Sequence, residues 1–477
     1  MSVNEKMTAI ANAIRKKTGG TDNLNLDEMA TAIDSLPRLE VITSAEQLIK
    51  LMGDSSKWGD NFILAKDISL AKYKNQSPIG NPDTPFTGSF DGMNHTISGI
   101  NITADEFAGL FGYVENGVIQ NLVTEGKVSK GTPAGGIVAA SGGITMLNCV
   151  NRVDVDGGTR VAGIIGSCNI YGERTTYVEN CINEGNITSS RRRAGGIAGR
   201  IYGTGKGYGS FINCKNIGNI VAGQDAGGFA GRIEIVTAAA FSKYTIEKIV
   251  NYGNIKTSFD NVDKVFAAEK KVSYIAGGLV GLFSANGNGT EIIFDSLYNR
   301  GNVTSEDKYA GGIFGIFRNY VDYVTTVNNA MNAGTVHTAK TVGGGIFGVA
   351  SHGGHVFTTK NLYNCGSVTA SGNADVGAIT AQWGVTYDNP SAIENVYYLD
   401  LGEKYTNVHA ATKVTKNNYS NRDSFDGIET TKKWVVTKIG LLLKAFYPVE
   451  EIVNDLEQAY ENGYTEGKMA AKSEVTV

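Results

Sequence analysis

Residues 183–187 read Asn-Glu-Gly-Asn-Ile, and residues 216–220 read Asn-Ile-Gly-Asn-Ile. The first asparagine of this phrase recurs at steps of 32, 33, 35, 48, 33 and 32 residues, at Asn151, Asn183, Asn216, Asn251, Asn299, Asn332 and Asn364. A residue that returns at a near-fixed step indicates one supersecondary unit stacked on copies of itself. Stacked strands would hold neighbouring asparagines about 4.8 Å apart, so that each side-chain amide can donate to the next carbonyl. The sequence therefore predicts a structural ladder of these seven asparagines.

A second phrase, Ala-Gly-Gly-Ile or a close variant, recurs nine times between residues 108 and 379 at a similar step. The chain has 61 glycines and only 7 prolines, and its short apolar runs lack a helical period. Such runs are typical of strands joined by tight turns, and scarce proline suits strands whose amides are all paired. We predict an all-β solenoid, a right-handed parallel β-helix of about ten coils with short α-helical N- and C-terminal segments.

The pattern divides the chain into five segments. They are a helical N-terminal docking segment (1–37), a cap of the solenoid (38–70), the parallel β-helix repeats (71–400), a C-terminal β cap (401–447) and a C-terminal helix (448–477). Within the first cap, Ser44 and Gln47 predict a capping box that begins a short helix ending near Met52. The apolar stripe of the C-terminal helix leaves two alternatives open, a lid on the last coil or a seam for self-association.

Composition excludes several classes of function. A net charge of −4 over 477 residues gives no general attraction to nucleic acid or to an anionic membrane. No apolar run approaches the length of a membrane span, and residues 1–17 are too charged for a secretory signal, so we expect synthesis in a cytoplasm. Five cysteines without a Cys-x-x-Cys motif indicate neither a metal site nor a disulfide framework, and no cofactor is expected.

Two groups of residues are candidates for ligand binding. Arg191, Arg192 and Arg193 fall between repeats, and Arg200 and Arg232 occupy one position on neighbouring repeats, where we expect them to face solvent because stacked like charges repel. A phosphate-rich wall polymer would suit them, and a merely solvated basic face is the alternative. The one 48-residue step contains an insertion at residues 259–273, in which Phe259, Lys264 and Phe266 could touch a ligand. The alternative is a tolerated excursion.

Catalytic and metal-binding patterns are weak. Asp154 and Asp156 alternate along one strand, and Glu184 lies one repeat further, a set that could flank a glycosidic bond. Nothing distinguishes them from ordinary surface carboxylates, so no catalytic residue is assigned. His352 and His355 lack further ligands for a metal, and we predict a polar turn there.

Residues 86–97 read Phe-Thr-Gly-Ser-Phe-Asp-Gly-Met-Asn-His-Thr-Ile, and residues 108–112 read Ala-Gly-Leu-Phe-Gly. This succession resembles the start of the GLUG-repeat region of bacterial surface proteins, which include adhesins and the N-terminal regions of immunoglobulin A proteases. Residues 394–400 and Trp434 look like the end of that region. The resemblance implies a β-helical scaffold and work at a cell surface. The His-Glu-x-x-His motif of the proteases is absent, so no peptidase activity is expected.

Residues 10–22, Ile-Ala-Asn-Ala-Ile-Arg-Lys-Lys-Thr-Gly-Gly-Thr-Asp, resemble a segment common at the start of tail and baseplate-associated proteins of phages and prophages of Gram-positive bacteria, as do residues 26–33. Residues 459–468 are similar to short repeats in the same proteins. The resemblance implies a place in the virion tail after synthesis in the host cytoplasm, with N-terminal helices that dock onto other tail or baseplate proteins.

These observations favour a non-enzymatic tail fibre or tail-tip protein that adheres to the host surface through a receptor, a wall glycan or teichoic acid. A trimer is one possible oligomer. Two alternatives remain, a tailspike that depolymerises glycan and a bacterial surface adhesin.

Overall fold

The computed structural model describes residues 38–74, 76–258, 274–321, 324–352, 357–372, 374–385, 392–408, 411–428, 433–437 and 440–446. The predicted helices within residues 1–37 and 448–477, and the insertion at residues 259–273, lie outside these ranges. Over the described residues the chain is mostly parallel β-sheet, which confirms the prediction of an all-β, solenoid-like architecture.

Two parallel sheets contain nearly all of the described strands. The larger sheet is formed by Leu39–Ile42, Asn61–Leu64, Ile68–Ser69, Ser89–Asp91, Thr96–Ala104, Phe111–Gln120, Val123–Lys130, Val138–Leu147, Val150–Gly157, Ile165–Tyr171, Thr175–Glu179, Ile182–Asn183, Ile187–Ser189, Ala198–Thr204, Tyr208–Ile212, Lys215–Asn216, Ile220–Ala222, Ala230–Asn251, Ile255–Thr257, Val280–Asn299, Val303–Ser305, Phe314–Val321, Thr325–Asn332, Val336–Thr338, Phe347–His352, Phe357–Asn364, Val368–Ala370, Thr380–Val385, Ala392–Leu399 and Thr412–Val414. The smaller sheet carries the Ala-Gly phrases, on Ala134–Gly135, Val161–Ala162, Arg193–Gly195, Asp225–Gly227, Ile275–Gly277, Tyr309–Gly311, Val342–Gly344 and Asp375–Gly377.

Helical structure is confined to short pieces in the described part of the chain. The helix α1 (Ala45–Gly53) begins at the predicted capping box, in which Ser44 and Gln47 cap each other, and it buries Leu48, Leu51 and Met52. Three short 3₁₀ turns lie at Ser55–Lys57, Arg422–Phe425 and Lys444–Phe446.

Neighbouring strands belong to successive repeats and pair in register. Asn183 pairs with Asn216 in the larger sheet, and Ala194 pairs with Ala226 in the smaller one. Equivalent residues therefore form columns that run across the strands. Inward columns of aliphatic and aromatic residues build one continuous core, in which the rings of Phe283 and Phe317 stack 4.6 Å apart.

The seven repeated asparagines form one hydrogen-bonded row inside this core. Asn183 Nδ2 donates to Asn216 Oδ1 at 2.7 Å and to the carbonyl of Gly185 at 2.9 Å, and each later asparagine up to Asn332 repeats both bonds. Thr124 ends the row by donating to Asn151 Oδ1 at 3.2 Å. Each buried amide thus donates one hydrogen bond to the turn of its own repeat and one to the next repeat, and a buried polar group requires such partners.

The two repeated phrases meet at this row. A Cβ atom placed on Gly163, in the Ala-Gly phrase, would lie 1.9 Å from Asn183 Oδ1, and one on Gly228 would lie 2.4 Å from Asn251 Cγ. Because no side chain fits at such distances, the glycine of one phrase is required by the asparagine of the other.

A second column of asparagines lies outside the inner core, three residues earlier in each repeat than the buried row. Its members turn the chain with positive φ, between 50° and 59°, at Asn121, Asn148, Asn180, Asn213, Asn329, Asn361 and Asn395. Asparagine tolerates this left-handed conformation better than most residues. Neighbouring side chains also bond along the column, as Asn180 does to Asn148 at 3.0 Å. The sequence analysis missed this column.

The C-terminal residues run back along one side of the repeats. Strands Trp434–Thr437 and Gly440–Leu443 pair antiparallel, and Trp434 Nε1 donates to Asn329 Oδ1 at 2.9 Å. We call residues 411–428, 433–437 and 440–443 the C-terminal strap. Its apolar side chains form a second core with the residues just before the asparagine row, Val250, Tyr298, Met331, Tyr363 and the Tyr397 that continues their column. In the repeat before Val250 the same column holds Lys215.

Candidate functional site

A corner between the two sheets brings together residues seven apart in the chain. One column holds the residue before each Ala-Gly phrase, and the other lies on the following strand. In successive repeats the two columns hold Arg160 and Ser167, Arg193 and Arg200, Asp225 and Arg232, Ile275 and Leu282, and Tyr309 and Ile316. The last two pairs form a small apolar cluster. The first three pairs, with Glu234, we call the arginine corner.

Two carboxylates hold the arginines of this corner. Arg232 Nε lies 2.6 Å from Asp225 Oδ2, and Arg200 Nε lies 2.6 Å from Glu234 Oε2. Arg193 is 3.7 Å from each carboxylate. The expectation that Arg200 and Arg232 face solvent is therefore wrong, since their side chains are only 20% and 15% exposed. Asp225 and Glu234, both on the repeat of Arg232, offset the repulsion between the stacked arginines that was expected to turn them toward solvent.

Burial dominates the electrostatics of this network. Burial raises the pKa of the Asp225 carboxyl against the opposing influence of Arg232, and Asp225 Oδ1 has no hydrogen-bond partner in the described structure. Burial would also raise the pKa of the Glu234 carboxyl, but three nearby arginines hold it below its usual value. Burial and then the charge of Arg232 lower the pKa of Arg193 to about 10. The described ion network thus holds three arginines against two carboxylates, an excess of positive charge.

Arg160 belongs to the corner although the sequence analysis did not select it. It is half-buried, has a backbone φ of 59°, and takes part in no ion pair among the described residues. Burial, then the charges of Arg200 and Arg192, lower its pKa, and no carboxylate acts in the opposite direction. Its position in the sequence could have identified it, because Arg160 directly precedes Val161-Ala162-Gly163 just as Arg193 precedes the equivalent phrase one repeat later.

Arg191 lies apart from this network, at a neighbouring cleft. The cleft encloses about 650 Å³, and its charged lining residues are Asp105, Glu106, Lys130, Asp156 and Arg191. The structure thus divides the five predicted arginines. Arg193, Arg200 and Arg232 share the ion network, Arg191 lines the cleft, and Arg192 influences Arg160.

The other candidates are separated from the corner. Phe259, Lys264 and Phe266 lie outside the described residues. Arg152 bridges Glu125 and Glu184 on a different, exposed face, and both carboxylates raise its pKa. Asp154 accepts a hydrogen bond from the backbone of Asn186 at 2.9 Å and so supports the next turn.

The described residues show neither a metal-binding cluster nor a helix that could span a membrane. They contain no group of three or more His, Cys, Asp or Glu residues placed to hold a metal ion. None of their helices has the length and apolar character needed to cross a bilayer.

Comparisons with known proteins give partial likenesses. No family model matches the chain. A stretch of 152 residues, 29% of the chain, is 30% identical to halomucin of Haloquadratum walsbyi, and it corresponds to 2% of the length of that protein. A crystal structure from Bacteroides ovatus, provisionally named an immunoglobulin A1 protease, aligns over 86% of this chain and 93% of its own, with 16% identity and a TM-score of 0.36. The chain is therefore similar to a small part of halomucin and, more distantly, to the Bacteroides ovatus protein.

Proposed function

We propose that this chain is a non-enzymatic tail fibre or tail-tip protein that attaches a virion to the surface of its host. In this proposal the parallel sheets form a right-handed β-helix of about ten coils with helical ends. Residues 1–37 dock onto other tail or baseplate proteins, and the repeats present a binding surface, with assembly into a trimer as one possibility.

The observation that carries the binding role is the excess of cations at the arginine corner. Arg160, Arg193, Arg200 and Arg232 lie there, and the described carboxylates among them are Asp225 and Glu234. An anionic wall glycan or teichoic acid is the host component that this charge pattern suits.

Binding to purified host walls tests the proposal. The full chain should sediment with intact walls and lose most of its binding when the anionic polymer is extracted from them. Equal binding to both wall preparations would contradict recognition of that polymer. Deleting residues 1–37 should abolish incorporation into particles while leaving wall binding unchanged, and normal incorporation would refute the docking role.

A glycan-depolymerising tailspike is the second candidate. The cleft beside Arg191 favours it, because Asp105, Glu106 and Asp156 line one concavity and glycosidases act through paired carboxylates. Release of soluble oligosaccharide from walls, lost in Asp156→Asn, would establish this function and displace the non-enzymatic one. A bacterial surface adhesin is the third candidate, and failure to find the chain in purified particles would favour it.

A further inference from the structure

We infer that Arg160, Ser167 and Arg200 form a site for a phosphate group, presented by an anionic polymer. The inference names the ligand of the arginine corner. It rests on the proposed function only for the polymer to which the phosphate belongs.

The first argument is charge. Asp225 is engaged by Arg232, and Glu234 is engaged by Arg200 and Arg232. Arg160 lies two repeats from both carboxylates, and among the described residues the charged groups that influence it are Arg200 and Arg192. A half-buried guanidinium beside other cations is unfavourable unless an anion joins it. The energetic need at this position is therefore for negative charge from outside the described chain.

The second argument is the supply of donors. Arg160 makes no side-chain hydrogen bond in the described structure, and Arg200 uses only its Nε, toward Glu234 at 2.6 Å. The guanidinium of Arg200 is held flat against Tyr202, with 4.1 Å to the ring centroid. Ser167, which pairs with Arg200 on the neighbouring strand, is buried, and its hydroxyl makes only a long hydrogen bond, 3.4 Å to Asn169 Oδ1. Two guanidinium groups and a hydroxyl at neighbouring positions of the corner supply the kinds of donor that the acceptor oxygens of phosphate take, since Ser167 pairs with Arg200 and the backbone of Arg160 packs against Gly199.

The third argument is the backbone. Arg160 adopts a left-handed conformation that residues other than glycine and asparagine rarely use. A Cβ atom on Gly199, in the next repeat, would lie 2.5 Å from the Arg160 carbonyl carbon, so this turn is tightly packed. This packing fixes the direction in which the Arg160 side chain leaves the backbone. A donor held in place in this way binds an anion at a lower entropic cost than a flexible one.

Calorimetric titration of the full chain with inorganic phosphate, at constant ionic strength, tests the site. Arg160→Gln should weaken the phosphate Kd about tenfold, because a hydrogen-bonded charge pair is lost. Arg152→Gln is the matched control, since Arg152 is paired with Glu125 and Glu184 on another face, and it should leave the Kd within about twofold. The phosphate Kd of Arg160→Lys should fall between those of the wild type and Arg160→Gln, because lysine keeps the positive charge and loses the paired N–H donors of the guanidinium.

Stability provides a second readout that does not depend on a binding signal. In phosphate-free buffer, Arg160→Gln should unfold at a midpoint equal to or above that of the wild type, since it removes an uncompensated cation. Phosphate should raise the wild-type midpoint and not that of the variant.

Phosphate binding that is absent in the wild type, or unchanged in Arg160→Gln, would overturn the inference. Titration with poly(glycerol phosphate) separates the inference from the proposed function. If phosphate binding depends on Arg160 while host walls are not bound, the site stands and the adhesion proposal fails.

Discussion

Replacing Asn251 with alanine tests the central claim that the buried asparagine row holds the repeats together. The Asn251 side chain is fully buried. Its Nδ2 donates to the carbonyl of Gly253 at 2.7 Å and to Asn299 Oδ1 at 2.8 Å, and its Oδ1 accepts from Asn216 Nδ2 at 2.7 Å. The substitution therefore removes three hydrogen bonds and leaves Asn299 Oδ1, and one of the two N–H groups of Asn216 Nδ2, without this partner.

The expected cost follows from these contacts. Three hydrogen bonds at about 1 kcal/mol each, with an added penalty for the acceptors left unpaired, give a loss of about 3–5 kcal/mol in the free energy of unfolding. Asn254→Ala is the matched control. Asn254 lies three residues away on the exposed face, where its Oδ1 accepts from the backbone of Asn302 at 3.1 Å, and its loss should cost under about 1 kcal/mol.

Equilibrium denaturation in urea, followed by circular dichroism, measures both variants. Asn251→Asp adds a test of the cause, because it keeps the side-chain volume and removes both amide donors. It should be at least as damaging at neutral pH as the alanine variant. A loss below about 1 kcal/mol for Asn251→Ala, or equal losses for Asn251→Ala and Asn254→Ala, would refute the structural role of the row.

Three further changes probe other parts of the structure. Gly228→Ala should destabilise the chain by about 3 kcal/mol or more, because the added methyl group overpacks the core and displaces the buried Asn251 amide. Gly53→Ala is the control and should be near neutral, because there is open space around the new methyl group. Thermal melts of the two variants measure the difference. Trp434→Ala should cost about 3–5 kcal/mol and make the C-terminal strap the first site of limited proteolysis, and an unchanged cleavage pattern would contradict its packing. Glu234 has a lowered pKa, so its stabilising contribution is present above the unfolded value near 4.5 and is lost as pH falls through the folded pKa. The difference in stability between wild type and Glu234→Gln should therefore be largest at pH 7 and shrink below pH 4.5, as urea titrations at several pH values would measure.

Much of the architecture could be predicted because the repeat carries it. Asn183 and Asn216 occupy one column for the reason the sequence suggests, since equal steps between strands place equivalent residues side by side. The short helix α1 was also predictable, because Ser44 and Gln47 act within a few residues of each other. Local signals and a constant period are both visible in a linear sequence.

The arginine corner could be predicted only in part. Arg200 and Arg232 share a column, as their spacing indicates, but their burial depends also on Asp225, across a bend in the chain, and on Glu234, two residues further along the strand of Arg232. The angle of that bend is not encoded in the period. The step of the repeat predicts which residues are neighbours along a column. It does not predict contacts between two columns of the same repeat.

The sequence by itself determined the repeating unit, the parallel pairing of its copies and the identity of the buried row, because periodicity translates directly into neighbouring strands. Only the tertiary structure decided that three arginines are enclosed by carboxylates, that Arg160 lies beside them without one, and that Trp434 packs on Asn329 from 105 residues away. These contacts depend on how the chain bends at a corner and folds back over its own side. Such geometry results from the packing of the whole chain rather than from the spacing of any motif.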